Sequence, residues 1–399
     1  MTQGRIRLDP IGQYFASIIS PAQPGSFRIT VHLKEELKPD ILQQAVNDLM
    51  QRLPHLCGRL VKGAFWYNHE FLQEPPTIVP DDTVETFTQY YYKDAGHVLR
   101  VTYGTQSFTV ETIHSICDGR TLGNVMRALL VRYFELLGVP VTDTCGIVDC
   151  SDAFSEKEMA DVLEEFCGNT KSNRLLPRKT YRPHRMNNKA AYVSSRTFDA
   201  SIIKAGAKSH NATITEYIAT HIFEEIALDR ARDNSDRPIA ITIAVDCRQY
   251  FPTKTMRNFV SEFPLSMPEA ESFSEKLIGI QEQFAEVDAD SMRRELSFAL
   301  NMRKMAFLPL FLKRKVIRLV GRLVDNEGAT TFSNLGRVVL PPEIEERVAS
   351  LEFVISMAKA EAYTFSCITV GDVLTLTVTA AGERDIAQRV FARLDGLGN

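Results

Sequence analysis

Between residues 98 and 137 the hydrophobic period of this chain changes abruptly, and the change falls on a histidine, a carboxylate and a glycine. Residues 98–103 (VLRVTY) and 107–114 (SFTVETIH) alternate apolar and polar about Gly104, which predicts two half-buried strands joined by a short turn. From Leu122 the apolar residues return at helical spacing, through Val125, Met126, Leu129, Leu130, Tyr133, Phe134 and Leu137, until Gly138 and Pro140 stop the run. His114 therefore ends a strand and Asp118 precedes a helix. Such a junction lets an imidazole project from the end of a sheet into a cleft, while Gly119 permits a backbone geometry or a close approach that a side chain would obstruct.

Length and charge narrow the rest. At 399 residues the chain accommodates two lobes of about 200 residues, each large enough to bury a core. A formal net charge of -4 argues against a nucleic-acid partner, which needs a basic footprint. No apolar run near Met1 reads as a signal peptide and none elsewhere is long enough to span a bilayer, so a cytoplasmic location is expected. The seven cysteines are odd in number and irregular in spacing, the pattern of reduced thiols. Cys145 and Cys150 lie too far apart for a zinc knuckle, and no metal is expected. Cys117, inside the junction, reads as a small buried filler rather than a nucleophile.

Ahead of the junction, Phe27, Ile29, Val31 and Leu33 alternate as a strand, and Ile41, Leu42, Ala45, Val46, Leu49 and Leu53 form the stripe of a helix ended by Pro54. Beyond it, Ser155 and Glu158 form a capping box that predicts a helix with Met159, Val162, Leu163 and Phe166 inward. From Gly168 to Lys189 there are seven Lys or Arg, two prolines and no acidic residue, which reads as a solvated linker between lobes. Its cations could also attract the phosphates of a nucleotide-bearing donor. A second capping box at Thr213 and Glu216 opens a helix through Ile218, Ile222 and Ile226, and Ile239 to Val245 alternate as a strand. Three strand-like runs between Leu351 and Thr379 and a helix from Arg384 to Leu397 close the chain. Between Arg293 and Arg322 nine Lys or Arg face one Glu among many Leu and Phe. That segment reads as a helix packed over a channel, broken at Pro309; contact with a membrane surface is the less favoured reading.

A neutral imidazole can take a proton from a hydroxyl or amine as that group attacks a carbonyl, and His114 is the histidine placed for it. The other seven histidines have no carboxylate–glycine turn beside them. Asp118 could orient His114, form an ion pair or simply cap the helix. An oxyanion needs a donor, for which Ser333 and Asn334 are candidates with Asn258 behind them. No serine stands in a nucleophile elbow, so direct transfer is expected rather than an acyl-enzyme.

The string HSICDG reads as H-x-x-x-D-G and resembles the signature of the acyltransferase superfamily of chloramphenicol acetyltransferase, non-ribosomal peptide condensation domains, plant acyl-CoA-dependent acyltransferases and alcohol acetyltransferases. VDCRQYFPTKTMRNFV (residues 245–260) and the SNLG of Ser333–Gly336 resemble elements of the bacterial alcohol-acetyltransferase-like and condensation-like branch, in the expected order. The runs from Asp9 to Phe15 and from Leu42 to Leu56 are similar to that branch too. The plant DFGWG-type motif is missing, and Ile113 stands where peptide condensation domains carry a second histidine.

The resemblance implies an α+β fold of two chloramphenicol-acetyltransferase-like lobes, each a mixed sheet with helices, and an active-site tunnel between them. Residues 1–170 would form the lobe carrying HSICDG, 171–189 a basic crossover linker, and 190–399 the lobe carrying the DCR, RNF and SNLG elements. It implies transfer from acyl-CoA, a co-substrate rather than a bound cofactor, to a small-molecule alcohol or amine, by a monomer. Asp118 would serve through an ion pair, and Arg248, which follows the apolar strand of the opposite lobe, is the partner selected. An acyl carrier protein as donor, or a non-catalytic binding module on the same fold, are the rivals.

Overall fold

The computed structural model describes residues 4–20, 23–84, 96–168, 170, 180–183, 191–324, 330–358, 361–381 and 385–398. The first half runs β1 (Arg5–Arg7), α1 (Pro10–Ile18), β2 (Ser26–Leu33), α2 (Pro39–Arg52), β3 (Gly58–Lys62), β4 (Tyr67–Phe71), β5 (Val79–Pro80), β6 (Arg100–Tyr103), β7 (Ser107–Ile113), α3 (Gly119–Leu136) and α4 (Leu163–Cys167). The second runs β8 (Ala191–Asp199), α5 (Ala200–Ser209), α6 (Ile214–Arg232), β9 (Ala240–Asp246), β10 (Val260–Ser266), α7 (Phe273–Ala285), α8 (Ala289–Leu300) and α9 (Leu310–Val324). It ends with β11 (Thr330–Val338), α10 (Pro342–Glu345), β12 (Val348–Ile355), β13 (Tyr363–Val370), β14 (Val373–Ala381) and α11 (Ile386–Asp395).

Two mixed sheets organise the molecule, ordered β12-β2-β7-β6-β5 and β10-β9-β11-β13-β14-β8, with a small sheet β1-β4-β3 beside them. The apolar stripes of α2 and α3 cover the first sheet, and Leu42, Leu49, Leu122, Met126, Leu130 and Phe134 are all fully buried there. A second core gathers Ile218, Ile222 and Ile226 of α6 with Ile241, Phe365 and Leu376 of the other sheet. This is the two-lobed α+β architecture.

The lobes are not contiguous in sequence. Strand β12 belongs to the second half of the chain but pairs antiparallel with β2, Leu351 opposite Val31 and Phe353 opposite Ile29, at the edge of the first sheet. Every position of β13 is buried as a result. Its Phe365 and Cys367 face the second core, while Thr364 and Ser366 donate to the carbonyls of Ile355 and Phe353 on β12. The polar face of β13 thus finds backbone acceptors across the lobe boundary, which is why a strand patterned for two buried faces still carries hydroxyls.

Three expectations are corrected. The Ser155 capping box forms, but over a 3-10 turn (Glu156–Met159), and the helix restarts only at Leu163. The amide of Met256 donates to the Glu158 carbonyl at 2.7 Å, and Thr255 Oγ1 donates to that of Ala160 at 2.6 Å, so these acceptors are lost to an α-helix. Glu158 itself makes a buried bidentate pair with Arg52, 2.8 Å on each arm. The expected linker 171–189 lies outside the described residues save Thr180–Pro183, and that piece is not solvated. Tyr181 is buried, its amide donating to the Pro238 carbonyl at 2.8 Å and its hydroxyl to Asp233 at 2.7 Å. The segment 293–322 does not pack entirely inward either: several of its apolar side chains stand in solvent.

Burial also sets an acid limit. Desolvation pushes His55 down to about 4 and His69 and His221 to about 3. The folded protein keeps these imidazoles neutral while the unfolded chain takes up protons near 6.5, so stability falls as pH drops from about 6.5 toward 3. One such histidine contributes about 1.4 kcal/mol per pH unit across that window. His221, packed between Tyr217 and Phe273, can be tested by His221→Phe, which should flatten the fall in melting temperature between pH 7 and pH 5. An unchanged slope would assign the loss to other groups.

Candidate active site

The end of β7 is fixed from two sides. The amide of His114 donates to the Gly25 carbonyl at 2.9 Å, in a turn where Gly25 has φ of 68°. From the other side α1 brings Phe15 flat against the imidazole, centroids 4.0 Å apart, and Phe27 closes a further edge at 5.1 Å. α1 can come this close because residue 12 is glycine: a Cβ there would collide with the Ser115 carbonyl oxygen. Asp9 caps the same helix, its Oδ1 accepting from the Gly12 amide at 2.7 Å. The run from Asp9 to Phe15 thus supplies the wall behind His114, a role no residue in it announces by type.

Asn258 completes the imidazole's surroundings. Its Oδ1 lies 3.1 Å from His114 Nδ1, and its amide also neighbours the buried Asp9 carboxylate, which favours the NH2 end on that side. An amide oxygen only accepts, so Nδ1 carries the proton and Nε2 keeps its lone pair. Burial pushes the His114 pKa down, and the Asp118 charge and the Asn258 contact oppose that only in part. The ring is a neutral base at physiological pH.

Asp118 is 1% exposed and wholly committed to structure. Its Oδ1 caps α3 by accepting from the Thr121 amide at 3.0 Å. Its Oδ2 accepts from Arg248 Nη1 at 2.8 Å and from the Phe259 amide at 2.8 Å. Burial alone would raise this carboxyl, but the Arg248 charge and the two amides outweigh it and hold it below the usual range. Arg248 in turn donates to Asp246 at 3.0 Å and to the carbonyls of Thr255 and Arg257 at 3.0 and 2.7 Å. The structure therefore brings Asp118 and Arg248 together across the lobes and hands the contact with His114 to Asn258.

Gly119 opens α3 without a positive φ, so a close approach is the reason for it. A Cβ would stand 3.1 Å from Leu335 Cδ2 and 3.6 Å from Phe353 Cζ. Ser333 and Asn334, in the middle of β11 just before its register shifts, line the same cavity as His114. Asn334 spends its amide locally, Nδ2 donating to Thr215 Oγ1 at 3.0 Å and Oδ1 accepting from the Gly336 amide at 2.8 Å. Of the two, Ser333 is the freer donor.

Two cavities meet here. The one holding His114 has a volume of about 580 Å³ and walls that are mostly apolar, among them Phe15, Phe27, Leu296, Met302, Ile317 and Phe353. The other, about 1040 Å³, has mixed walls, in which Thr215, Gln249, Thr253 and Lys254 stand among apolar residues such as Ile243 and Phe284. Arg120, Ala244, Asp246 and Asn334 border both. The two cavities thus adjoin along these residues, the His114 side mostly apolar and the other of mixed polarity. Among the described residues, the basic segment 293–322 contributes to the apolar side alone.

No protein-family model matches the chain, and no curated protein matches it in sequence. Solved structures do match over their whole length. Polyketide synthase associated protein 5 from Mycobacterium tuberculosis superposes with a TM-score of 0.63 at 13% identity, covering 99% of this chain and 98% of that one. The epimerization domain from the third module of tyrocidine synthetase B gives 0.63 at 12% identity, covering 100% and 96%. The condensation domain from Monacolin K polyketide synthase gives 0.60 at 13%, covering 99% and 96%. Their common two-lobed condensation-domain-like fold, the one that HSICDG, DCR, RNF and SNLG resemble in sequence, is the fold of this chain.

Proposed function

We propose that this protein transfers an acyl group from a coenzyme A thioester to an alcohol or amine, with His114 as general base. The observation that carries the reading is the imidazole itself: neutral, clamped at Nδ1 by Asn258 and walled by Phe15, it lines a mostly apolar cavity of about 580 Å³. The acceptor's hydroxyl gives its proton to Nε2 as its oxygen attacks the thioester carbonyl. The resulting oxyanion is met by a donor such as Ser333. Collapse then breaks the carbon–sulfur bond, and the thiolate takes the proton back from the imidazolium and leaves as free thiol. Asp118 and Arg248 hold the lobes in register, and Gly119 lets them close.

The apolar walls beside His114 suit an apolar acyl chain or acceptor, while the polar groups of the adjoining cavity, such as Thr215 and Gln249, suit the amides of a pantetheine arm. A carrier-bound donor is the second reading, favoured by the full-length likeness to a condensation domain. The deciding experiment offers acetyl, octanoyl and palmitoyl groups on coenzyme A and on an acyl carrier protein, with a panel of alcohols and amines. Acceptor-dependent release of free thiol from acyl-CoA, with the acylated acceptor seen by mass spectrometry, is the expected result. Turnover with the carrier protein alone would replace the donor, and no turnover with either would remove the enzyme.

A further inference from the structure

Thirteen residues of the chain leave six large apolar side chains in water. Phe307 is 92% exposed, Phe311 63% and Leu319 60%, and Leu308, Leu312 and Val316 are exposed as well. Single exposed hydrophobes are ordinary; a run like this on one element is not. Leu312, Val316 and Leu319 fall at i, i+4 and i+7, one side of α9, while Leu310, Lys313 and Ile317 form its buried side. The helix is pinned there: the Leu310 amide donates to the Ala64 carbonyl at 2.8 Å, and Lys313 Nζ donates to the Phe65 carbonyl at 2.7 Å while lying over the Trp66 ring. Phe65, 47% exposed, adds an apolar side chain from the neighbouring turn.

The segment's own charge has one sign. From Leu296 to Val324 the sequence holds no Asp or Glu but seven Lys or Arg, in a chain whose net charge is -4. Arg303, Lys313 and Arg318 are engaged within the protein, whereas Lys315 and Lys304, the latter donating to Asn301 Oδ1 at 2.6 Å, are exposed beside the apolar residues.

We infer that α9 and the turn before it dock on an anionic lipid bilayer, Phe307, Phe311 and Leu319 entering the headgroup–acyl boundary and Lys304 and Lys315 meeting lipid phosphates. A convex helix with cations interleaved among aromatic and aliphatic residues matches that boundary, where apolar area and positive charge are both satisfied. A folded protein partner would need a complementary groove for the protruding Phe307. The same helix borders the apolar cavity through Val316 and Ile317, so docking sets that cavity beside the membrane. The docking claim stands apart from the transfer chemistry.

The test is flotation of the full chain with vesicles of phosphatidylcholine and phosphatidylglycerol, against vesicles of phosphatidylcholine alone. Binding to the anionic vesicles, weakened by added salt, is expected. Lys315→Glu should lower affinity by at least about fivefold, and the combined Phe307→Ser, Phe311→Ser, Leu319→Ser variant by roughly a hundredfold or more. Because those side chains already stand in solvent, the variant should melt as the parent does. Trp66, the single tryptophan, gives a second readout through quenching by brominated lipid. No binding by the parent, equal binding by the variant, or capture of an acidic carrier protein through these residues in place of vesicles would overturn the assignment.

Discussion

Alanine at position 114 should cut acyl transfer by about a hundredfold to ten-thousandfold, the usual weight of a general base, with the melting temperature little changed. The ring leaves a space lined by Phe15 and Phe27 that already opens on the cavity, so its removal creates no sealed void. The pH profile supplies an independent check. His114 is held below the ordinary histidine value by burial, so the acid limb of kcat should bend below about 6.5. Asp118 is the charge that pulls this value back up, hence Asp118→Asn should move the bend further down even where turnover survives. Wild-type turnover in His114→Ala would remove the proposed base, and a bend unmoved by Asp118→Asn would uncouple the two residues.

Removing Arg248 should destabilise the protein by about 3–5 kcal/mol, because it strands a carboxylate buried in the lobe boundary. Asp118 would keep its two amide donors but lose its counter-charge, Asp246 would keep only the backbone amide of residue 248, and the carbonyls of Thr255 and Arg257 would lose their donor together. Asp118→Ala should cost a similar amount, and the double variant clearly less than the sum of the two. The sign is the same as for the histidines, stability falling with acid, but the window is lower. A carboxyl held below its ordinary value of about 3.9 contributes in full above that pH, and the contribution is lost only as pH falls through the lower folded value. Urea titrations at pH 7 on the four proteins measure the cycle; additive losses would mean that the two residues do not act as a pair.

The local features of the site were legible because each is a matter of period or of short spacing. The switch from strand to helix between Ile113 and Gly119 rests on apolar repeats, and the helix it predicts forms with Asp118 as its cap. Thr213 and Glu216 likewise close their capping box around the start of α6. Where the sequence misled, a distant partner had taken a backbone group or a side chain. Met256 and Thr255 use carbonyls that the helix after Ser155 would need, and Tyr181 is drawn into a core from a stretch that reads as linker.

The sequence by itself determined the histidine at a strand's end and the carboxylate at a helix's start, since these follow from hydrophobic repeats, and it indicated the two-lobed α+β fold through the resemblance that HSICDG, DCR, RNF and SNLG carry. Only the tertiary structure decided what stands against them. Asn258 rather than Asp118 touches His114; Phe15 rather than another polar group backs it; β12 crosses to the other sheet; and Phe307 and Leu319 face solvent instead of a core. The physical reason is range: a repeat encodes which side of an element is apolar, but which surface covers that side, or none, is settled by contacts between distant parts of the chain, such as the packing of a ring from residue 15 on an imidazole at 114 and of an amide from residue 258 on its nitrogen.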